Sequence, residues 1–232
     1  MPGADQSALA GAQVDLIGCG GLGGEVGHGL VRKGVGSLTL MDFDYVEESN
    51  LARQFFYSEN VGEAKARALA RNLRSQATGN TTIEAHSLAF QAVAANGKWT
   101  PGDIAVVGVD NNPTRIAVAR HYLALGKPVV FLAVDRNASH GYVFVQTSQP
   151  GDTCFLCLFP DAGQDRATHG CAGASIEILK VAAGIALYAI DSLLMPRPRS
   201  WNYKDVFLER PGDGARRVGQ RPSCSLCGVQ AG

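Results

Sequence analysis

Val14-Asp15-Leu16-Ile17-Gly18-Cys19-Gly20-Gly21-Leu22-Gly23-Gly24 is an apolar run that meets a glycine-rich turn, and residues 25–33 continue it at helical spacing. That succession reads as a strand, a tight turn and a helix, with glycine where the backbone must bend sharply or approach a ligand closely. Gly18, Gly20 and Gly23 hold the spacing of a dinucleotide fingerprint. Asp42 lies 24 residues beyond Gly18, at the end of the next apolar run, where a carboxylate can bind ribose hydroxyls. On this string alone an NAD- or FAD-dependent oxidoreductase is the favoured reading.

Outward from the turn, strands are expected at 38–41, 82–88, 104–109, 129–134 and 142–146, with helices at 63–73 and 114–125. This alternation predicts an α/β fold, a doubly wound and mostly parallel sheet with at least three parallel strands. After Pro150 the texture changes to a cysteine pair, a polar loop over 161–170 and a long helix over 175–194 that Pro196 and Pro198 end. A strand at 203–208, a loop rich in Gly, Arg and Pro, and a second cysteine pair follow. One domain is expected over 1–232, with a flexible N-terminus at 1–12, a crossover loop at 151–174 and a C-terminal tail at 210–232.

The composition narrows the function classes. Lys plus Arg and Asp plus Glu number 21 each, so no global field recruits nucleic acid or an anionic membrane. The first residues carry no basic stretch followed by an apolar one, which argues against a secretory signal and for a cytoplasmic location. The longest apolar span, 172–194, contains Glu177, Lys180 and Asp191, so a buried helix is expected there rather than a membrane span. Six cysteines in such a chain point to metal or thiol chemistry rather than to a disulfide framework.

The segment from Asp42 to Gln54, DFDYVEESNLARQ, changes the reading of the glycine turn. It sets Ser49, Asn50, Arg53 and Gln54 just past a strand end, and Lys65 follows twelve residues after Arg53. Arg53 offers a planar fork and Lys65 a point charge to phosphate oxygens, which a triphosphate requires and a dinucleotide does not. With GCGGLGG before it, VGEAKA after it, and Val109-Asp110-Asn111-Asn112-Pro113-Thr114-Arg115 further on, this string resembles the nucleotide site of the ubiquitin-activating superfamily, including the ThiF, MoeB and HesA adenylating enzymes. The resemblance runs from about Val14 to the C-terminus. It implies a Rossmann-like adenylation domain that uses ATP and Mg²⁺. Its glycine turn (Gly18, Gly20, Gly21, Gly23) and Asp42 would form the base and ribose pocket, and Ser49, Asn50, Arg53, Gln54 and Lys65 would form the phosphate side. Asp110, with Asn111 beside it, would take a magnesium-linked role, as suits a hard oxygen ligand at the carboxyl end of a parallel strand.

Cys154-Phe155-Leu156-Cys157 and Cys224-Ser225-Leu226-Cys227 are two CxxC pairs with 66 residues between them. Two such pairs supply the four thiolates of a closed tetrahedral site, so Zn²⁺ is expected, in a structural role because no coordination position stays open. Cys19 takes a small-residue position in the turn. Cys171 follows His169-Gly170 and precedes the long helix, whose N-terminus would favour a thiolate. Thioester-forming members of the resembled family place their acceptor cysteine near this point.

The resemblance implies adenylation of the C-terminal glycine of a ubiquitin-like protein by Arg53, Lys65 and Asp110. Capture on Cys171 would then feed a conjugating enzyme. The alternatives are a sulfur-carrier adenylyltransferase, for which Cys171 matters less, and a non-catalytic nucleotide-binding scaffold. A homodimer is expected. MoeB-like enzymes carry an N-terminal arginine that reaches across the dimer, whereas no Lys or Arg precedes Arg32 here. The spacing also leaves no room for an inserted cysteine domain, so a minimal adenylation module is expected.

Overall fold

The computed structural model describes residues 6–135, 139–149, 151–164, 175–212 and 214–228. A short helix α1 (Gln6–Gly11) leads into β1 (Gln13–Ile17), α2 (Gly21–Arg32), β2 (Ser37–Met41), α3 (Lys65–Arg74), β3 (Thr82–His86), α4 (Phe90–Ala95), β4 (Ile104–Val107), α5 (Asn112–Ala124) and β5 (Val129–Val134). Then come β6 (His140–Gln146), α6 (Phe155–Leu158), α7 (Ile176–Leu194), β7 (Tyr203–Phe207) and β8 (Gly214–Arg216). All eight strands form one sheet in the order β3-β2-β1-β4-β5-β6-β7-β8. The first five strands pair in parallel and the last three antiparallel. The sheet is therefore mixed. The link from β5 to β6 is too short for a crossover helix, and a short link can only join antiparallel neighbours.

β4 and β5 are buried at every position, which is why both read as unbroken apolar runs: helices cover the sheet on two sides. On one side Leu16, Leu40, Leu132 and Val143 pack with residues of α2, α3 and α7 such as Leu30, Leu69, Ile178 and Leu179. On the other, Ile17, Val107, Phe131 and Phe144 pack with Phe90, Val118, Tyr122 and Phe155. Each large side chain buried this way contributes about 1.5–3 kcal/mol. The chain order reverses between β1, whose neighbours are β2 and β4, and this is where an open α/β sheet leaves a crevice at its carboxyl edge.

Two of the three charges of the long apolar span, Asp191 and Lys180, are paired with neighbours, and the third, Glu177, is exposed. Asp191, buried on α7, pairs with Lys33 at the end of α2 and with Arg197 at 2.6 Å, and Lys180 reaches Glu25 on α2 at 3.0 Å. Among the described residues no helix is long and apolar enough to cross a membrane. Residues near both ends join the fold. Within the segment 1–12, residues 6–11 form α1 and Leu9 packs into the core, where it buries apolar surface. The tail at 210–232 carries β8, which pairs with β7.

Asp15 escaped notice in the sequence. Its carboxylate, buried within β1, accepts hydrogen bonds from the Gly102 amide at 2.6 Å, from Trp99 Nε1 at 3.3 Å and from the Tyr122 hydroxyl. Burial raises its pKa against the pull of these donors. The network ties the segment before β4, and α5, to the central strand.

Candidate functional site

A cavity of about 260 Å³ opens at the carboxyl edge of the sheet, where the strand order reverses. It is lined by Gly18, Gly20 and Gly21 of the turn, Asp42 and Asp44 after β2, Asn50, Arg53, Gln54 and Lys65, and Asp110 and Asn111 after β4. Met41, Phe90, Val109 and Leu179 add apolar wall. Ser49 and Gly23 are not among the lining residues.

The glycines divide the work. Gly18 has φ +94°, a conformation that L side chains rarely adopt. A Cβ on Gly23 would stand 1.9 Å from the Gly18 carbonyl oxygen, so Gly23 lets α2 pack on the turn. A Cβ on Gly20 would find no atom closer than 3.9 Å, because Gly20 faces the cavity. The turn thus presents the N-terminus of the twelve-residue α2, with its unpaired N–H groups and partial positive charge, to whatever fills the cavity.

Asp42 is fastened from both sides. Its oxygens accept the Cys19 amide at 2.7 Å and the Asp44 amide at 2.8 Å, which locks the glycine turn to the end of β2. Burial pushes its pKa up, opposed by these bonds and by the Lys65 charge. The Cys19 thiol is fully buried. Desolvation and then the Asp42 charge raise its pKa, which disfavours the thiolate.

The cations are delivered by local folding. Asn50 ends a one-turn 3₁₀ helix (Glu48–Asn50), and its carbonyl accepts the Arg53 and Gln54 amides at 3.1 and 2.9 Å. Its own side-chain oxygen accepts the Glu47 amide at 3.1 Å, and Arg53 Nη1 bonds the Ser49 carbonyl at 2.7 Å. The start of α3 is pinned beside Asp44–Val46 by the Lys65 and Val46 amides, which bond Asp44 O at 2.9 Å and Glu63 O at 2.8 Å. Lys65, its side chain only 12% exposed, rests 3.1 Å from Asp44 Oδ2. Asp44 is the partner that sequence reading missed, although it stands in the quoted string two residues from Asp42. Gln54 lines the cavity, and its Oε1 is buried with no hydrogen-bond partner among the described residues.

After β4, Asp110 is exposed on the rim, while Asn111 caps α5 by accepting the Thr114 amide at 2.9 Å, with Pro113 in the first turn. The Asn111 side-chain oxygen is thereby occupied by the helix.

The two CxxC pairs converge. Cys154 and Cys157 Sγ lie 3.8 Å apart, Cys154 reaches Cys224 at 3.4 Å, and Cys157 reaches Cys227 at 3.3 Å. All four sulfurs fall within 4.8 Å of one another. A tetrahedral Zn²⁺ with bonds of about 2.3 Å needs sulfurs about 3.8 Å apart, so the cluster fits that ion. Amides of Arg221 and Leu226 point at Cys157 and Cys224 at 3.3 and 3.5 Å, as around thiolates. Burial pushes Cys154 up. At Cys224 burial is outweighed by the Cys227 and Leu226 amides and the neighbouring thiols, which draw it to about 7. Cys171 and His169 lie outside the described residues.

The sequence matches the ThiF family over residues 1–229. The chain belongs to the ThiF family. This ThiF-family protein is 33% identical over 245 residues to mouse (Mus musculus) adenylyltransferase and sulfurtransferase MOCS3, covering 97% of this chain and 49% of MOCS3. It therefore spans about half the length of that relative. It is 32% identical over 241 residues to the sulfur carrier protein adenylyltransferase of Thermus thermophilus, covering 96% of this chain and 84% of the relative. Among solved structures, Escherichia coli MccB with ATP superposes with a TM-score of 0.78 at 20% identity, over 96% of this chain and 68% of MccB, and so shares the fold.

The glycine geometry of this ThiF-family protein makes a prediction. Gly20→Ala should leave the melting temperature unchanged but weaken nucleotide binding about 10-fold or more, because only a ligand meets the new methyl group. Gly23→Ala should lower both, since its methyl collides with backbone. Calorimetric titration beside thermal melting checks it, and equal melting losses in the two variants would refute the assignment.

Proposed function

We propose that the chain adenylates the C-terminal glycine carboxylate of a sulfur-carrier protein of ubiquitin-like fold. The observation that carries this reading is the pairing of Arg53 and Lys65 with the N-terminus of α2 around one cavity. Three sources of positive potential suit a triphosphate better than a dinucleotide. The sulfur-carrier reading is supported over conjugation by the chain's likeness to an adenylyltransferase and sulfurtransferase and to a sulfur carrier protein adenylyltransferase.

In the reaction a carboxylate oxygen of the partner bonds to the α-phosphorus of ATP. The bond from that phosphorus to the bridging oxygen breaks, and pyrophosphate leaves with the electron pair. Arg53 offsets charge on the phosphates, and Lys65 does so by exchanging Asp44 for a phosphate oxygen. Asp42 holds the glycine turn in register and borders the ribose, while the open Gln54 Oε1 accepts a donor from the nucleotide or the partner's tail. Asp110 would hold Mg²⁺, which when bound offsets phosphate charge. Catalysis of this kind rests on placement and electrostatics. A zinc ion held by Cys154, Cys157, Cys224 and Cys227 would hold the tail in place and take no chemical part.

Exchange of labelled pyrophosphate into ATP, dependent on a carrier protein ending in glycine, tests the reading. The cavity should also bind Mg·ATP more tightly than NAD. Tighter NAD binding, or no exchange with any such carrier, would overturn it. Cys171→Ser separates the two downstream fates: exchange should persist, and a reductant-sensitive adduct with the carrier that vanishes in this variant would mark Cys171 as an acyl acceptor and shift the reading to conjugation.

A further inference from the structure

Arg115 belongs to the segment that resembles the family motif, yet it does not line the cavity. Its Nη2 donates to the Val109 carbonyl at 2.7 Å and its Nη1 to Asn112 Oδ1 at 3.1 Å. These acceptors bracket Asp110 along the chain, one residue before it and two after. Asn111, between them, is fixed by its bond to the Thr114 amide. Asp110 thus sits at the cavity mouth on a backbone whose neighbours on both sides are tied to the first turn of α5.

The guanidinium leaves its Nε buried without a hydrogen-bond partner among the described residues. An unpaired buried donor is a cost to folding, so stability alone is a poor reason for an arginine here. Its planar fork, by contrast, fixes two acceptors at a set angle, which an ammonium cannot do.

We propose that Arg115 is a positioning residue for Asp110: by clamping Val109 and Asn112 it sets the direction in which the Asp110 carboxylate meets the divalent cation of the bound nucleotide. The inference rests on the adenylation reading of the cavity. Removing groups that orient a metal ligand weakens metal binding about 10-fold or more. Mn²⁺ affinity for the complex of the full chain with a non-hydrolysable ATP analogue, read by electron paramagnetic resonance, should therefore fall about 10-fold in Arg115→Ala and in Arg115→Lys. Affinity for the analogue without metal should stay within about twofold of wild type, because Arg115 does not touch the cavity. In the Asp110→Ala background, Arg115→Ala should change Mn²⁺ affinity no further.

Unchanged Mn²⁺ affinity in both Arg115 variants would show that Arg115 only braces the start of α5. An equal loss with and without Asp110, or a parallel loss of metal-free analogue binding, would show the same, and each result overturns the proposal. Arg115→Lys supplies the answer should Arg115→Ala fail to fold. A wild type that binds Mn²⁺ and analogue but never exchanges pyrophosphate would sink the adenylation reading alone, with the cation affinities still deciding the role of Arg115.

Discussion

Asp110→Ala is expected to lower ATP–pyrophosphate exchange by about 10²- to 10³-fold, the usual cost of removing one preorganised electrostatic group from a reacting centre. The melting temperature should not move, because the side chain is exposed on the rim and the turn is held by its neighbours Val109, Asn111 and Asn112. Binding of AMP without metal should persist as well, since the glycine turn and Asp42 are fastened to each other independently of Asp110. Isotope exchange run beside a thermal melt reads both quantities. Undiminished exchange would remove Asp110 from the chemistry and with it the metal-linked role.

Metal removal should act outside the cavity lining and in the opposite sense, on stability first. One zinc per chain is expected by elemental analysis of protein kept reduced, and Cys154→Ser or a strong chelator should lower the melting temperature by more than about 10 °C. The size follows from what the sulfurs anchor. Cys154 and Cys157 are buried, and Val218 and Leu226 of the tail pack against the same apolar cluster as Phe155. Loss of an ion held there would loosen the Cys224–Cys227 end of that segment. None of the four cysteines lines the cavity, so nucleotide binding measured well below the new melting point should remain. Zinc-free protein with an unchanged melting temperature would refute the structural role.

Legibility in the sequence followed the range of the interactions. The glycine turn, the five parallel strands and α7 were readable because each rests on local periodicity and local backbone demands. The six-residue α4 and the three-residue β8 were not, since neither is long enough to show a period, and β8 exists only through its pairing with β7. α5 starts at Asn112 instead of Thr114, and the signal was present: Asn-Asn-Pro-Thr is a cap followed by proline in the first turn. At the site, sequence named most of the polar side chains that line the cavity, but few of its apolar ones and not their division of labour. That Asp44 partners Lys65 depends on where two loops meet in space, whereas the bonds by which Asn50, Asn111 and Arg115 hold nearby backbone and side-chain groups are local, and the residue types alone did not say which acceptors they would take.

The outer strands of the sheet bear on how an extended tail can enter. β3 exposes Thr82 and Glu84, and β8 is three residues long with Ala215 and Arg216 exposed. Short, charged edges are poor templates for a further strand, which disfavours recruitment of a peptide by β-addition. Under the proposed adenylation, a partner's C-terminus would instead arrive end-on, over the carboxyl termini of β1, β4 and β5, and be gripped by side chains and the turn rather than zipped along a backbone ladder. Recognition of that kind reads the last few residues of the tail, which predicts indifference to the sequence further back.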